Sequence, residues 1–254
     1  MKALIFDCDG VLADTERLCH LPAFNQAFAE AGLPLRWSEA EYAVKLSIGG
    51  GKERIESALT AELSRGGDIP GDPEGRRAWV GRVHARKTEI FGELVRGGSL
   101  APRPGIVRVV DEAHAAGVRV AAASTSAEPS VRAILARTLG AERAAWFTVF
   151  AGDAVAHKKP HPAIYELALD RLGISPGEAL AIEDSRNGLL AATATGLRCA
   201  ITVSSYTGGE DFSEATLVVS CLGDPGTPAE IFANRGRSLP HGLVRLDDLR
   251  ALLD

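Results

Sequence analysis

The chain has 254 residues, of which 46% are hydrophobic and 24% charged, and its formal net charge is -5 at pH 7. This composition is typical of globular proteins, and the length suffices for one large domain or two smaller ones. The acidic balance argues against nucleic acid as the main partner, because binding a phosphate backbone needs an excess of cationic side chains. No apolar run approaches the roughly 18 residues of a membrane-spanning helix, so we expect no membrane partner either.

The amino terminus and the cysteines favour a cytoplasmic protein. The sequence enters a strand-like segment almost directly after Met1, and no signal peptide precedes it. A transit peptide removed from the sequence would instead allow a location in the plastid stroma. The cysteines form no Cys-x-x-Cys pair and have no histidine at zinc-ligand spacing, so we expect reduced, buried thiols. We expect the chain to act as a monomer.

The first part of the chain predicts one strand and then a long helical block. Residues 3–6 form an apolar run typical of a buried strand. From residue 16 to residue 98, apolar side chains recur at helical spacing, as at Leu59 and Leu63, and no segment is typical of a strand. A loop rich in Gly, Pro and Asp is expected at residues 66–75.

The remainder of the chain alternates helices with strands. Helices are predicted at 106–116, 129–139, 161–172 and 186–195, and strands at 118–123, 147–151, 179–182 and 198–203. A glycine ends each helix before the next strand begins, which is typical of a doubly wound parallel sheet. Residues 224–242 are expected to be irregular, and residues 244–253 to form a last short strand and helix.

The fold class predicted from these elements is α/β. A Rossmann-like, doubly wound parallel sheet needs the strand at residues 3–6 as a member, so the helical block is interpreted as an insertion into that core. The predicted domains are an α/β core at residues 1–15 and 99–254, and an inserted α-helical domain at residues 16–98.

Two acidic pairs follow predicted strands. Asp7 and Asp9 come directly after the first strand, and Glu183 and Asp184 follow the strand at residues 179–182. Each pair alone is also typical of a turn or a helix cap. Carboxylates that converge on one sheet edge repel each other unless a cation lies among them, and a site without His or Cys favours Mg²⁺ over zinc. Together the two pairs predict a Mg²⁺ site.

Two further segments at strand ends carry groups that bind anions. Ser124, Thr125 and Ser126 follow a predicted strand, where hydroxyls and backbone N–H groups can hold a phosphate. Helix capping explains these hydroxyls equally well. Lys159, beside Pro160, can pair with carboxylates and an anionic substrate, although taken alone it is better explained as part of a solvated basic loop.

In chain order these segments place acids, hydroxyls, a lysine and acids again at strand ends. This order resembles the haloacid dehalogenase (HAD) superfamily of phosphotransferases. The matching motifs are, in order, Asp7-x-Asp9-Gly10-x-Leu12, Ser124, Lys159 and Glu183-Asp184. The helical block at residues 16–98 resembles the cap domain that this superfamily inserts after its first strand.

The resemblance implies a mechanism through an aspartyl-phosphate. Asp7 would attack the phosphorus, and Asp9 would protonate the leaving oxygen and then deprotonate water. Ser124 and Lys159 would hold the transferring phosphoryl oxygens. The implied Mg²⁺ site consists of Asp7, the backbone carbonyl of Asp9, Asp184 and, as a residue that helps to build it, Glu183.

Polar segments of the helical block resemble the CbbY proteins, a group of sugar-phosphate phosphatases within this superfamily. The resemblance implies substrate-binding residues at Glu16, Gly50, Gly51, Lys52, Glu53, Arg54, His84, Arg86 and Lys87 in the cap, and at Ser124, Thr125, Ser126 and Lys159 in the core. His84 and Lys87 share one helix face, so they can reach a ligand together. A solvated helix surface is the alternative for all the cap charges. The glycine run is not a Walker A motif, because Glu53 follows Lys52 where Ser or Thr is required.

The implied function is Mg²⁺-dependent hydrolysis of a small sugar bisphosphate. CbbY proteins, which are linked to the Calvin cycle, act on xylulose 1,5-bisphosphate, and a cationic cap suits a substrate with phosphate at both ends. The alternative is a phosphosugar mutase. The related β-phosphoglucomutases carry Val-Ser-Arg where this chain has Gly50-Gly51-Lys52, and a lysine where it has Ala127, and both departures argue against a mutase. A non-catalytic regulatory protein ranks last, because Asp7 and Asp9 are both present.

Overall fold

The computed structural model describes residues 1–60, 69–98, 100–237 and 241–254. The chain divides into two compact units: Met1–Asp14 with Leu100–Asp254, here called the core unit, and Thr15–Ser99, here called the cap unit. The sequence placed the two boundaries one residue away from these. Leu63 and the first part of the expected glycine-rich loop lie outside the described residues.

The described helices alternate with strands in the core unit and follow one another in the cap unit. Along the chain they are α1 (Leu21–Glu30), α2 (Glu39–Lys45), α3 (Gly51–Glu56), α4 (Pro73–Gly97), α5 (Ile106–Ala115), α6 (Glu128–Ala145), α7 (Ala163–Leu172), α8 (Arg186–Thr193) and α9 (Leu246–Ala251). A π-helical turn, Glu16–His20, leads into α1. None of the helices in the described part of the chain has the length and hydrophobicity that crossing a bilayer requires.

The core unit is built on one sheet. Its strands are β1 (Ala3–Phe6), β2 (Arg119–Ala123), β3 (Phe147–Phe150), β4 (Ala179–Glu183), β5 (Arg198–Thr202), β6 (Leu217–Val219) and β7 (Ile231–Asn234). The spatial order is β3-β2-β1-β4-β5-β6-β7, and every pair is parallel except β6 with β7. The predicted α/β class with a doubly wound parallel sheet is therefore confirmed.

The central strands are apolar throughout β1 and along β4 as far as Ile182. Every residue of β1 and β4 is buried, as expected for strands inside a parallel sheet. The register aligns Phe6 with Ala122 of β2 and with Ile182 of β4. The residues that follow these three positions therefore emerge at the same edge, which is where ligands bind in open parallel sheets.

The cap unit has an aromatic interior. The rings of Phe24, Phe28, Trp37 and Tyr42 pack with centroids 4.8 to 6.0 Å apart. The Asn25 side chain joins this interior to the backbone of Trp37 through bonds of 2.7 and 2.8 Å. A capping box between Ser38 and Glu41 begins α2, because each side chain bonds the backbone N–H of the other.

Four elements differ from the sequence prediction. The helix expected to end at residue 139 is broken by Gly140, where φ is 81°, and then continues to Ala145. The short strand β6 was not predicted, and β7 lies within the segment expected to be irregular. Residues 241–245 form no strand before α9, although the Val244 N–H donates to the carbonyl of Leu222 at 2.9 Å. The cysteines are free and buried, as expected.

Candidate active site

An acidic cluster occupies the carboxyl edge of the sheet in the core unit. Asp7 follows β1, Glu183 is the last residue of β4, and Asp184 follows it. One carboxylate oxygen from each lies within 4.8 Å of the others, and all three residues are buried. Three of the four acids that the sequence singled out therefore meet here. The backbone also links the two strand ends, because the Asp7 N–H donates to the Ile182 carbonyl at 2.8 Å.

Lys159 lies inside this cluster. Its buried ammonium is 2.5 Å from Oδ1 of Asp7, 2.6 Å from Oε1 of Glu183 and 2.7 Å from the carbonyl oxygen of Ala123. Burial opposes the charged form, but the two carboxylates outweigh it and raise the pKa of Lys159. Lys159 is thus a fixed cation within a buried network of acids, rather than part of a solvated loop.

Glu183 holds Lys159 in place. Its Oε1 accepts from the Lys159 ammonium and, at 2.5 Å, from the hydroxyl of Tyr165. The ring of Tyr165 also lies under the ammonium, with the nitrogen 5.1 Å from the ring centroid. Sequence reasoning missed Tyr165, because a tyrosine at a helical core position looks like any other packing residue.

Burial and mutual repulsion oppose the ionisation of Asp7 and Asp184. Burial raises the pKa of Asp7 well above its usual range; Lys159 counteracts this shift, whereas Glu183 and Asp9 add to it. Burial likewise raises the pKa of Asp184, and the negative charges of Asp7 and Glu183 raise it further. A divalent cation would relieve this repulsion, and a donor set made only of oxygen atoms suits Mg²⁺. The residues present therefore fit the cofactor that the sequence implied.

Asp9 is held by the serine-rich segment after β2. The Ser126 hydroxyl donates to Oδ2 of Asp9 at 2.7 Å, and the Ser126 N–H donates to Oγ of Ser124 at 3.0 Å. The N–H of the buried Ser124 donates to the Phe150 carbonyl. The Thr125 carbonyl lies 3.4 Å from the ammonium of Lys158. The Ser126 hydroxyl is thus brought to the first acidic motif, with Ser124 directly behind it.

The cap unit contains a second polar network. The hydroxyl of Tyr42 donates to Oε2 of Glu16 at 2.5 Å. The Arg54 guanidinium donates to the same hydroxyl at 3.1 Å and lies 3.6 Å from Oε1 of Glu16. It also donates to the Ile48 carbonyl at 2.9 Å. Two of the predicted cap residues are therefore joined by Tyr42, which the sequence interpretation did not include.

The glycine segment packs against α4. A Cβ atom at Gly51 would lie 2.5 Å from Nε2 of His84, so only a glycine permits this approach. A Cβ atom at Gly50 would lie 2.1 Å from Oε2 of Glu53. Lys52 is exposed. The two cap segments that the sequence identified are thus neighbours in the cap unit.

Lys87 is buried, in contrast to Lys52. Its Nζ lies 2.6 Å from Nδ1 of His20. The same nitrogen stands over the rings of Phe24 and Phe91, at 4.6 and 5.0 Å from their centroids. Contacts of this kind with aromatic faces stabilise a cation where water is scarce.

Arg86 points to a different set of partners. Its guanidinium lies 2.6 Å from Glu30, 3.0 Å from Glu89 and 3.5 Å from Glu93. Hydrogen bonds to Glu30 and Glu89 raise its pKa. Three carboxylates therefore compete with any phosphate for Arg86, and its role as a substrate-binding residue stays a prediction.

Comparison with known proteins identifies the relatives of this chain. Residues 1–196 match a family model described as haloacid dehalogenase-like hydrolase. A CBBY-like protein of Arabidopsis thaliana is 46% identical over 91% of this chain and 72% of its own length. Protein CbbY of Cupriavidus necator is 40% identical over 99% of this chain and 95% of its own length.

A solved structure is similar in both sequence and fold. It is CbbY of Rhodobacter sphaeroides in complex with phosphate, which is 40% identical to this chain, with a TM-score of 0.78 over 87% of this chain and 94% of that protein. A variant of the same protein, in complex with xylulose-(1,5)bisphosphate, matches this chain with the same identity, coverage and TM-score.

Proposed function

This chain belongs to the haloacid dehalogenase-like hydrolase family, and from that membership we propose that it is a Mg²⁺-dependent sugar-bisphosphate phosphatase. The proposed reaction converts xylulose 1,5-bisphosphate to xylulose 5-phosphate and inorganic phosphate. The observation that carries this proposal is the buried cluster of Asp7, Lys159, Glu183 and Asp184 at the carboxyl edge of the sheet. It unites a carboxylate nucleophile, a fixed cation and oxygen ligands for a metal.

In the first step, a carboxylate oxygen of Asp7 forms a bond to phosphorus while the bond from phosphorus to the sugar oxygen breaks. Lys159 orients the Asp7 carboxylate by donating to Oδ1. When bound at the acidic cluster, Mg²⁺ supplies positive charge that offsets the repulsion between the carboxylate and the phosphate. Asp7, Asp184 and the Asp9 carbonyl are the proposed ligands.

Asp9 is the proposed general acid and base. It gives its proton to the departing sugar oxygen, and in the second step it takes a proton from the water that attacks the aspartyl-phosphate. That attack releases inorganic phosphate and restores the Asp7 carboxylate. The Ser126 hydroxyl, 2.7 Å from Oδ2 of Asp9, fixes the orientation of this carboxyl group. Ser124 is proposed to bind a phosphoryl oxygen.

We assign the choice of substrate to the cap unit, because the core residues handle one phosphoryl group and are the same for any phosphate ester. Lys52 and Arg54 lie on α3, beside the Gly51–His84 contact. This positive charge suits the second phosphate of a bisphosphate. The complex of the Rhodobacter sphaeroides relative with xylulose-(1,5)bisphosphate supports that substrate.

The test is phosphate release from a panel of sugar mono- and bisphosphates with Mg²⁺, with a matched series in EDTA. We expect Mg²⁺-dependent release that is fastest with xylulose 1,5-bisphosphate and stops at one phosphate per molecule. Turnover of β-glucose 1-phosphate only in the presence of a bisphosphate primer, without phosphate release, would identify a mutase instead. Full activity in EDTA would contradict the metal-dependent mechanism.

A further inference from the structure

Arg103 is a partly buried arginine that no sequence motif pointed to. It lies between the cap unit and α5, on the segment where the chain returns to the core unit. Its own N–H donates to the Leu12 carbonyl at 2.9 Å. The return segment is therefore attached by its backbone to the loop that carries Asp7 and Asp9.

The guanidinium of Arg103 binds oxygen atoms from three separate parts of the core unit. Nη1 donates to the carbonyl of Gly10 in the first acidic motif, and to the carbonyl and hydroxyl oxygens of Thr202 at 2.9 and 3.3 Å. Nη2 donates to the carbonyls of Val203 and Ser220 at 2.6 and 2.5 Å. Arginine suits this role because its planar group presents several fixed donors at once.

These bonds connect the two acidic strand ends. Gly10 belongs to the loop after β1, and its backbone lies against the carboxylate of Asp184. Thr202 ends β5, beside β4, and its hydroxyl lies 3.5 Å from the Glu183 carbonyl. Arg103 thus bonds to the loop of Asp7 and Asp9 on one side. On the other side it bonds to the end of β5, which lies beside Glu183.

The position is costly for a cation, which argues for a specific role. Burial lowers the pKa of the Arg103 guanidinium, while the charges of Asp184 and Asp14 act in the opposite direction. Among the residues that the structure describes, the guanidinium bonds to neutral oxygens and to no carboxylate. Because the charge of Asp184 acts on Arg103, the positive charge of Arg103 would oppose the binding of a second cation by that carboxylate.

We propose that Arg103 is a positioning residue of the active site, which sets the distance between the Asp7–Asp9 loop and Asp184 and thereby the geometry of the Mg²⁺ site. This inference rests on the proposed phosphatase function. It makes a distinctive prediction about Mg²⁺. Loss of a nearby positive charge alone should tighten Mg²⁺ binding, whereas loss of the positioning bonds should weaken it.

Arg108 provides a matched control in the same unit. Its guanidinium also binds backbone carbonyls, those of Leu222, Gly223 and Val244 at 2.9, 2.7 and 3.1 Å. It pairs with Glu112 one helical turn away. None of these partners belongs to the acidic motifs, so Arg108→Met removes a comparable structural cross-link without touching the active site.

The experiment compares Arg103→Met, Arg103→Lys and Arg108→Met with the wild-type chain. Mg²⁺ affinity is measured by calorimetry without substrate, kcat and KM by phosphate release, and Tm by thermal unfolding. For Arg103→Met we expect Mg²⁺ affinity about 10–100-fold weaker, as for other residues that support metal ligands. We expect kcat to fall by about 100-fold with little change in KM, because displaced reacting groups lose orientation. Arg103→Lys should lie between this variant and the wild type.

Arg108→Met should lower Tm and leave Mg²⁺ affinity and kcat at the wild-type values. Wild-type or tighter Mg²⁺ binding in Arg103→Met, with only a lower Tm, would overturn the inference. If Arg103→Met does not fold, Arg103→Lys decides the same question, because it keeps the charge and loses most of the bonds. If the wild type releases no phosphate from any sugar phosphate, the proposed function fails, and the Mg²⁺ calorimetry still tests the positioning role.

Discussion

Gly10 and Asp184 are in direct contact: a Cβ atom at Gly10 would lie 2.1 Å from Oδ2 of Asp184. The backbone of Gly10 also has a φ of 81°, a conformation that side-chain-bearing residues adopt at a cost. The turn around it is closed by bonds from the Gly10 N–H to Ala13 and from the Leu12 N–H to Cys8. The glycine of the first acidic motif is thus what allows the carboxylate of the last motif to approach.

Gly10→Ala should therefore abolish the metal site rather than merely weaken the fold. The added methyl group must displace Asp184, so we expect Mg²⁺ binding and phosphate release to be lost. Gly117→Ala is the matched control, because Gly117 also has a positive φ, 68°, and nothing lies within 4 Å of its Cβ position. The control should lose about 1–2 kcal/mol of unfolding free energy and keep full activity. Normal Mg²⁺ binding in Gly10→Ala would contradict the contact.

Mg²⁺ should stabilise the protein, and more strongly as the pH rises. The pKa values of Asp7 and Asp184 are raised by burial in the metal-free protein. A carboxyl group with a raised folded-state pKa stabilises the fold while protonated, and this contribution is lost as the pH rises through that pKa. Metal-free protein should thus lose stability with rising pH. Mg²⁺, which needs ionised carboxylates, should bind more tightly over the same range.

Thermal unfolding with Mg²⁺ and with EDTA, from about pH 5 to about pH 8, measures this effect. The difference in Tm between the two series should widen as the pH increases. Asp184→Asn is the control, because it removes one carboxyl group whose pKa is raised and one proposed Mg²⁺ ligand. The Tm values of this variant with Mg²⁺ and with EDTA should nearly coincide. A constant or narrowing difference in the wild type would contradict the assignment.

Asp7→Asn should leave only trace turnover, because the amide is a poor nucleophile at phosphorus. Asp9→Asn should be slower than wild type by about 10²–10⁴-fold, the usual contribution of a general acid and base. Circular dichroism of both variants should match the wild type. Release of phosphate by Asp7→Asn at the wild-type rate would show that another residue is the nucleophile.

The sequence predicted most of the sheet, because a glycine lies at or just beyond the end of α5, α7 and α8 and an apolar strand follows each of them. In α6 the same signal, Gly140, instead marks a break within the helix. It missed β6, which has only three residues, too few for a periodic pattern. It also missed β7, whose residues are exposed or half-buried as befits an edge strand. Both strands form through pairing with a neighbour, and pairing of this kind leaves little trace in local sequence.

The acidic motifs were predictable because acids are rare after buried strands, and their convergence follows from parallel topology. Arg103 was not predictable, because it binds backbone carbonyls, which every residue carries. The ion pairs of Arg86, in contrast, could have been predicted. Arg86 was selected for its charge alone, although Glu89 and Glu93 lie three and seven residues further along the same helix. That spacing places both glutamates on the helix face of Arg86 and predicts ion pairs with it.

The last prediction separates the two cap lysines. Lys52 is exposed on α3, whereas Lys87 is buried beside His20. Loss of a charge-assisted phosphate contact costs about 1.5–3 kcal/mol, or roughly 10–150-fold. Lys52→Ala should therefore reduce kcat/KM for the bisphosphate by about that factor and leave Tm nearly unchanged. Lys87→Ala should also reduce kcat/KM for the bisphosphate. In addition it should lower Tm, because the variant removes a buried partner of His20.

Both variants should hydrolyse p-nitrophenyl phosphate at close to the wild-type rate, because this ester has no second phosphate for the cap to bind. Lys45→Ala is the matched control: Lys45 also lies in the cap unit, and its ammonium contacts the carbonyl and hydroxyl of Ser57 at 3.2 and 3.0 Å. It should keep normal activity on both substrates. Equal losses on the two esters for Lys52→Ala would show that this lysine supports the fold or the chemistry. The second phosphate would then have to be recognised by other residues.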